Sequence, residues 1–134
     1  MKKLLLAALC AAAFIASGEP GFSSPVGLWR AKDGAKIRIG ACGRNLCGFI
    51  AQSSQPNMTD KNNADPTKRN RPLVGVETLI SMRPNGAGRW SGRLYNDDDG
   101  MTYPGNLIEL GPSTIRVEGC ALGICGGDEL TRLK

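Results

Sequence analysis

The chain contains no histidine in 134 residues. That removes Ser-His and Cys-His nucleophile pairs and the commonest zinc and iron ligand sets together. Aromatic residues are scarce, with three Phe, two Trp and two Tyr, and the basic residues are scattered along the sequence. A nucleic-acid surface needs a dense cationic patch interleaved with aromatics, so the net charge of +5 describes a mildly basic surface and no nucleic-acid partner. No stretch carries a convincing amphipathic helix. The one long apolar run, Leu4 to Ile15, falls short of the roughly 20 residues that cross a bilayer. Glu77, Glu109 and Glu118 are acids with no spacing that pairs any two as a glycosidase would. No catalytic constellation, cofactor or metal is expected.

What is present begins with an address. Lys2 and Lys3, the apolar run and the small exit Ala16-Ser17-Gly18 read as a Sec-type signal peptide over residues 1–18, cleaved after Gly18. The expected location is periplasmic or secreted, with no stable membrane insertion once the leader is gone. Cys10 lacks the small preceding residue that lipidation wants and leaves with the leader. Residues 19–134 are then one domain, large enough for a single core.

Four cysteines remain, as two copies of one spacing: Cys42-x4-Cys47 and Cys120-x4-Cys125. In an oxidising compartment they read as two local disulfides on hairpin tips, in preference to cross-pairing or a zinc site. Strands are expected near 26–31, 35–42, 47–53, 76–83, 89–96, 101–110, 114–120 and 126–132, separated by turn residues at roughly ten-residue spacing, which predicts an all-β barrel or sandwich. Glycines within strands (Gly40, Gly48, Gly92, Gly105) suit the coiling of a small eight-stranded antiparallel up-and-down barrel. The exception is the polar stretch 54–73, in which Asp65-Pro66 has the look of an N-cap followed by proline at the first helical position. The segment Asn96 to Gly100 hints at a calcium loop, but Tyr95 and Asn106 stand where the end ligands belong, so it reads as an acidic hairpin turn.

Register sharpens this. A two-residue loop Arg44-Asn45 sets Cys42 opposite Cys47 on the outer face, with Ile37, Ile39 and Ile50 inside. A three-residue loop Lys32-Asp33-Gly34 sets Trp29 opposite Ile37 and Gly27 opposite Ile39, which buries the indole. By parity the interior adds Ile80, Met82, Trp90, Leu94, Tyr103, Leu107, Ile115 and Val117.

Gly27-Leu28-Trp29 on the first strand with Arg132 on the last resembles the barrel-closure pattern of lipocalins and calycins, where an arginine of the final strand packs over the tryptophan. Such a contact contributes roughly 0.5–2 kcal/mol. The stretches GLWRAKDGAKIRI (27–39), CGRNLCG (42–48), RNRPLVG (69–75), GRWSGRLYNDDDGMTYPG (88–105) and GCALGIC (119–125) more specifically resemble a bacterial secreted, lipocalin-like family known as domain-of-unknown-function family 2147. One departure is the last strand, where Leu130-Thr131 precedes Arg132 in place of the family's usual aromatic. The resemblance implies a fold and an export route, and no chemistry.

Two functions follow from the residues. The barrel holds a small, largely apolar molecule in its lumen, with Tyr103 as the hydrogen-bonding group. Alternatively, side chains fill the lumen and the 54–73 loop, through Arg69 and Arg71, docks on a protein or an anionic envelope polymer.

Overall fold

The computed structural model describes residues 24–134; the expected leader over 1–18 lies outside them. Eight strands, β1 (Gly27–Arg30), β2 (Lys36–Cys42), β3 (Asn45–Gln52), β4 (Glu77–Pro84), β5 (Arg89–Asn96), β6 (Met101–Gly111), β7 (Thr114–Ala121) and β8 (Ile124–Arg132), run antiparallel in sequence order and close into a barrel. The only helical element among the described residues is a single 3-10 turn, Pro66–Lys68, and it begins as the sequence predicts. Asp65 caps it by accepting the Thr67 amide, and Pro66 supplies a preset φ at the first position.

Closure rests on very little ladder. β1 and β8 share two residue pairs, Trp29 with Arg132 and Arg30 with Thr131. Main-chain bonds from Leu28 N to Lys134 O (3.1 Å) and from Leu133 N to Leu28 O (2.8 Å) extend the seam, and side chains add to it. The Arg132 guanidinium lies 4.4 Å from the centroid of the Trp29 ring. It also donates to the carbonyls of Pro112 (3.0 Å), Val26 (3.0 Å) and Ser24 (2.6 Å). The indole is fully buried and its Nε1–H donates to Pro25 O at 2.8 Å, so its one polar atom is satisfied. Gly27 has no room for a side chain here, since a Cβ would sit 2.3 Å from Lys134 O and its φ is +148°. This is the closed end of the barrel.

The core fills that end. Trp29, Ile39, Leu46, Leu79, Met82, Leu107, Ile115, Val117 and Leu130 form one buried cluster, with Ile37, Trp90 and Leu94 packed against it. The first hairpin has the expected register, Trp29 opposite Ile37 and Gly27 opposite Ile39. Glu109 shares this end; its Oε2 is buried without a hydrogen-bond partner, and burial pushes the carboxyl up while the charge of Arg132 partly offsets that.

Two register expectations are corrected. The β2–β3 turn is Gly43-Arg44, so Cys42 pairs with Asn45 and Gly40 with Cys47. The cause is Gly43, whose φ of +65° suits the first position of a two-residue hairpin loop, where glycine is favoured. A slip of two residues preserves the faces, so Ile37, Ile39 and Ile50 stay inside. The Cys42–Cys47 bond then forms on the diagonal with Cα atoms 5.9 Å apart, whereas Cys120–Cys125 links directly opposed residues 4.0 Å apart. On β4 the expected alternation fails. Ser81 has φ +50° and the β4–β5 register shifts between Ile80 and Arg83. This bulge brings Leu79 and Met82, three residues apart, into the core, and turns Ile80 to a second cluster.

Replacing Arg132 by Met removes the ring contact and three carbonyl partners while keeping much of the stem. We expect a loss of about 2–4 kcal/mol in urea unfolding, and a loss below about 0.5 kcal/mol would show that closure does not depend on it.

Candidate functional site

Antiparallel order sorts the connections by end. The β1–β2, β3–β4, β5–β6 and β7–β8 loops gather opposite the Trp29 plug, and there the interior opens. A cavity of about 390 Å³ lies between them. Its inner wall is apolar, with Ile37, Ile50, Leu94, Val117 and Leu130 from the strands and Met58 and Leu73 from the long loop. Its rim carries Asp33, Asp97, Asp98 and Asp128.

The expected lining residues therefore divide. Ile37, Ile50, Leu94 and Val117 line the cavity. Ile39, Met82, Leu107 and Ile115 belong to the packed end, and Trp90 packs against that cluster without lining the cavity. Ile80 belongs to neither, for the reason given above. Tyr103 faces inward opposite Leu94, but in an adjoining recess with Asn96, Gly119, Ala121, Ile124 and Gly126. Its hydroxyl donates to Asp99 on the exposed turn, which corrects its expected role as the polar group of the main cavity.

The long connection between β3 and β4 builds one wall. Its two arms are tied by a bridge between Thr59 and Pro72 and by main-chain bonds from Asp60 N to Arg71 O (3.0 Å) and Leu73 N to Met58 O (2.9 Å). At its centre Asp60 is almost wholly buried. It accepts from the Tyr95 hydroxyl (2.6 Å), Asn63 Nδ2 (2.8 Å) and Arg71 Nε (2.9 Å), with Arg71 Nη2 at 2.8 Å. Burial alone would raise the Asp60 carboxyl, but these donors outweigh it and hold the group below the usual aspartate range. Tyr95 moves the other way. Burial, with the hydrogen bond to Asp60, pushes its hydroxyl up to about 12.

This network accounts for the two arginines that the sequence suggested as a docking pair. Arg71 neutralises Asp60, and Arg69 Nε donates to Asn63 O at 2.7 Å, so both are engaged in folding the loop. Tyr95 and Asp60 were missed from sequence. Strand alternation sets Tyr95 opposite in phase to the inward Leu94, and only the folded loop covers it. The loop also fixes the rim. Asn62 Nδ2 donates to the carbonyls of Asp97 and Asp98, both at 3.1 Å, and Asn62 O packs so near Gly100 that a Cβ there would lie 1.7 Å away.

Among the described residues none of Asp33, Asp97, Asp98 and Asp128 makes a salt bridge. Burial pushes the Asp97 carboxyl up; the charge of Asp98 adds to that, with smaller contributions from Asp60 and Asp33. As for metals, Glu118 with Cys120 and Cys125 is the only close ligand-type grouping among the described residues. Its two sulfurs are bonded to each other and are not free thiolates.

Residues 27–132 match the family described as "Uncharacterized protein conserved in bacteria (DUF2147)". A solved structure of protein HP1028 from the human pathogen Helicobacter pylori, described as belonging to the lipocalin family, superposes with a TM-score of 0.73 at 18% identity. The match covers 83% of this chain and 84% of that chain, and it shows a shared lipocalin-like fold. No curated protein matches.

Since Tyr95 is raised and Asp60 lowered, the loop's anchorage is complete between the ordinary aspartate and tyrosine ranges. It is lost as pH falls through the depressed Asp60 value or rises through about 12. In an ultraviolet titration we expect one tyrosine to ionise near 12. Asp60→Asn should bring that transition down toward the ordinary tyrosine value and speed proteolysis within 54–75. An unchanged titration would contradict the assignment.

Proposed function

We propose, from the premise that this chain belongs to the DUF2147 family of bacterial proteins and has a lipocalin-like barrel, that it is an exported binder of a small molecule held at the barrel mouth. One observation carries this reading. The interior is filled at the Trp29–Arg132 end and left open at the other, with about 390 Å³ over Ile37, Ile50, Leu94 and Val117. That volume falls at the lower end of the roughly 300–1,000 Å³ typical of small-molecule sites, and a ligand resting there would bury an apolar portion without disturbing the packed half.

Export is supported by the leader-like residues 1–18 and by two disulfides, which persist in oxidising compartments. No helix among the described residues is long and apolar enough to cross a membrane. Binding is favoured over catalysis because the cavity offers no nucleophile next to a base. Ser53 Oγ donates to Gln55 O at 2.6 Å, Thr78 Oγ1 to Tyr95 O at 2.9 Å, and there is no histidine to activate either. The alternative, docking through Arg69 and Arg71, is the less favoured reading because Arg71 is committed to Asp60 and Arg69 Nε to Asn63 O.

A neutral fluorescent probe, N-phenyl-1-naphthylamine, tests the site. Its emission should rise with one-to-one saturation on the native protein. Ile37→Trp, at a partly exposed lining position, should abolish that rise while circular dichroism stays unchanged. Saturable binding indifferent to Ile37→Trp would overturn the proposal.

A further inference from the structure

The mouth differs in charge from the rest of the molecule. The protein has 17 basic and 12 acidic residues, yet the cavity is lined by four aspartates and by no lysine or arginine. Lys32, one residue from Asp33, belongs instead to an outer recess with Arg30, Thr114 and Glu129. A cleft lined by one sign of charge beside an apolar wall concentrates the field of such charges.

Hydrogen bonding points the same way, independently of charge. Four hydroxyls border the cavity: Ser53, Ser54, Thr78 and Tyr95. Each already gives its proton to a protein acceptor: Ser53 to Gln55 O, Ser54 to Met58 Sδ, Thr78 to Tyr95 O and Tyr95 to Asp60. What they still present to a guest is lone pairs. Of the lining side chains, only the Asn96 amide keeps a hydrogen to give, since its Oδ1 is taken by the Asp98 amide. The polar lining is therefore rich in acceptors and poor in donors. An anionic guest would meet repulsion and few donors. A neutral guest would gain the apolar wall alone. A protonated amine on an apolar body would meet acceptors and carboxylates at the rim while its body covers the floor.

We infer that the occupant is an organic cation, a protonated amine carried on a small apolar or aromatic body, with its charged end at Asp97 and Asp128 and its body against Ile37, Leu94 and Val117. This deepens the proposed function and rests on it. Burial is the main cause that raises the Asp97 carboxyl, and the charge of Asp98 adds to it; a cationic guest relieves that second contribution.

The experiment is calorimetric, on the exported chain, with two matched sets of probes. One set is tryptamine, tryptophol and indole-3-propionate; the other is hexylamine, hexanol and hexanoate. Within each set the amine should bind about tenfold or more tightly than the alcohol, and the acid most weakly. The double variant Asp97→Asn/Asp128→Asn should collapse the amine-to-alcohol ratio toward unity. Raising salt from low concentration to roughly 0.5 M should weaken the amines selectively, a readout that does not depend on any variant folding. Ile37→Trp should abolish amine binding. Alcohols binding as tightly as amines would overturn the charge assignment and leave the mouth as a binding site. Amine binding that survives Ile37→Trp would place the cation on surface acids and overturn the inference. Failure of all six probes would overturn the binding reading itself, and this inference with it.

Discussion

The Trp29–Arg132 contact is the constraint from which the rest of the architecture follows. Eight strands in sequence order can roll into a cylinder, but the final seam here has only two ladder pairs. Main-chain bonds of Leu28 with Leu133 and Lys134 extend it, and a guanidinium that covers the first strand's indole and gathers the carbonyls of Ser24, Val26 and Pro112 locks it. By committing the largest side chain of the core to that end, the fold also makes the barrel asymmetric. Met82, Leu107 and Ile115 complete the plug, and the opposite end keeps an open space over Ile37, Ile50, Leu94 and Val117.

A second constraint shapes that open end. Twenty-odd residues between β3 and β4 would be an entropic burden as free loop. Asp60 converts them into a wall. Its buried carboxylate collects Tyr95 from β5 and Asn63 and Arg71 from the loop, so one charged centre joins loop to barrel. Removing any one partner would leave a buried charge short of donors, which costs far more than an exposed ion pair is worth. Through Asn62 the same wall grips the Asp97–Asp98 turn. Loop anchorage and mouth charge are thus mechanically linked, although the groups involved are far apart in sequence.

Much of this was legible in the residues because it follows from local periodicity and turn chemistry. Alternation gave the strands, Lys32-Asp33-Gly34 gave the register that buries Trp29, and Asp65-Pro66 gave the single helical turn. The failures have equally specific causes. Gly43 offered a turn one residue earlier than Arg44-Asn45, and a two-residue slip leaves every face unchanged, so the pattern could not choose between them. Ser81 adopts a left-handed conformation with no glycine to signal it, and the resulting bulge exchanges Leu79 for Ile80 in the core. Asp33, Asp97 and Asp98 were visible only as turn residues, and Asp128 only as a strand residue. Asp33 serves its turn by accepting the Ala35 amide, and Asp98 sits in a turn that Asn96 holds by accepting the Asp98 amide; only the closed barrel brings both together with Asp128. Arg69 and Arg71 looked free because their partners, Asn63 and Asp60, are polar residues of the same loop.

The central claim is that a plug at one end leaves a ligand-sized, acid-rimmed space at the other. Native mass spectrometry of the protein purified under mild conditions addresses it directly. The account predicts a single discrete added mass of small-molecule size, lost on gentle activation and accurate to a compound containing a basic nitrogen. Bare polypeptide in every preparation and growth condition, or an adduct that persists after Ile37→Trp closes the mouth, would contradict it.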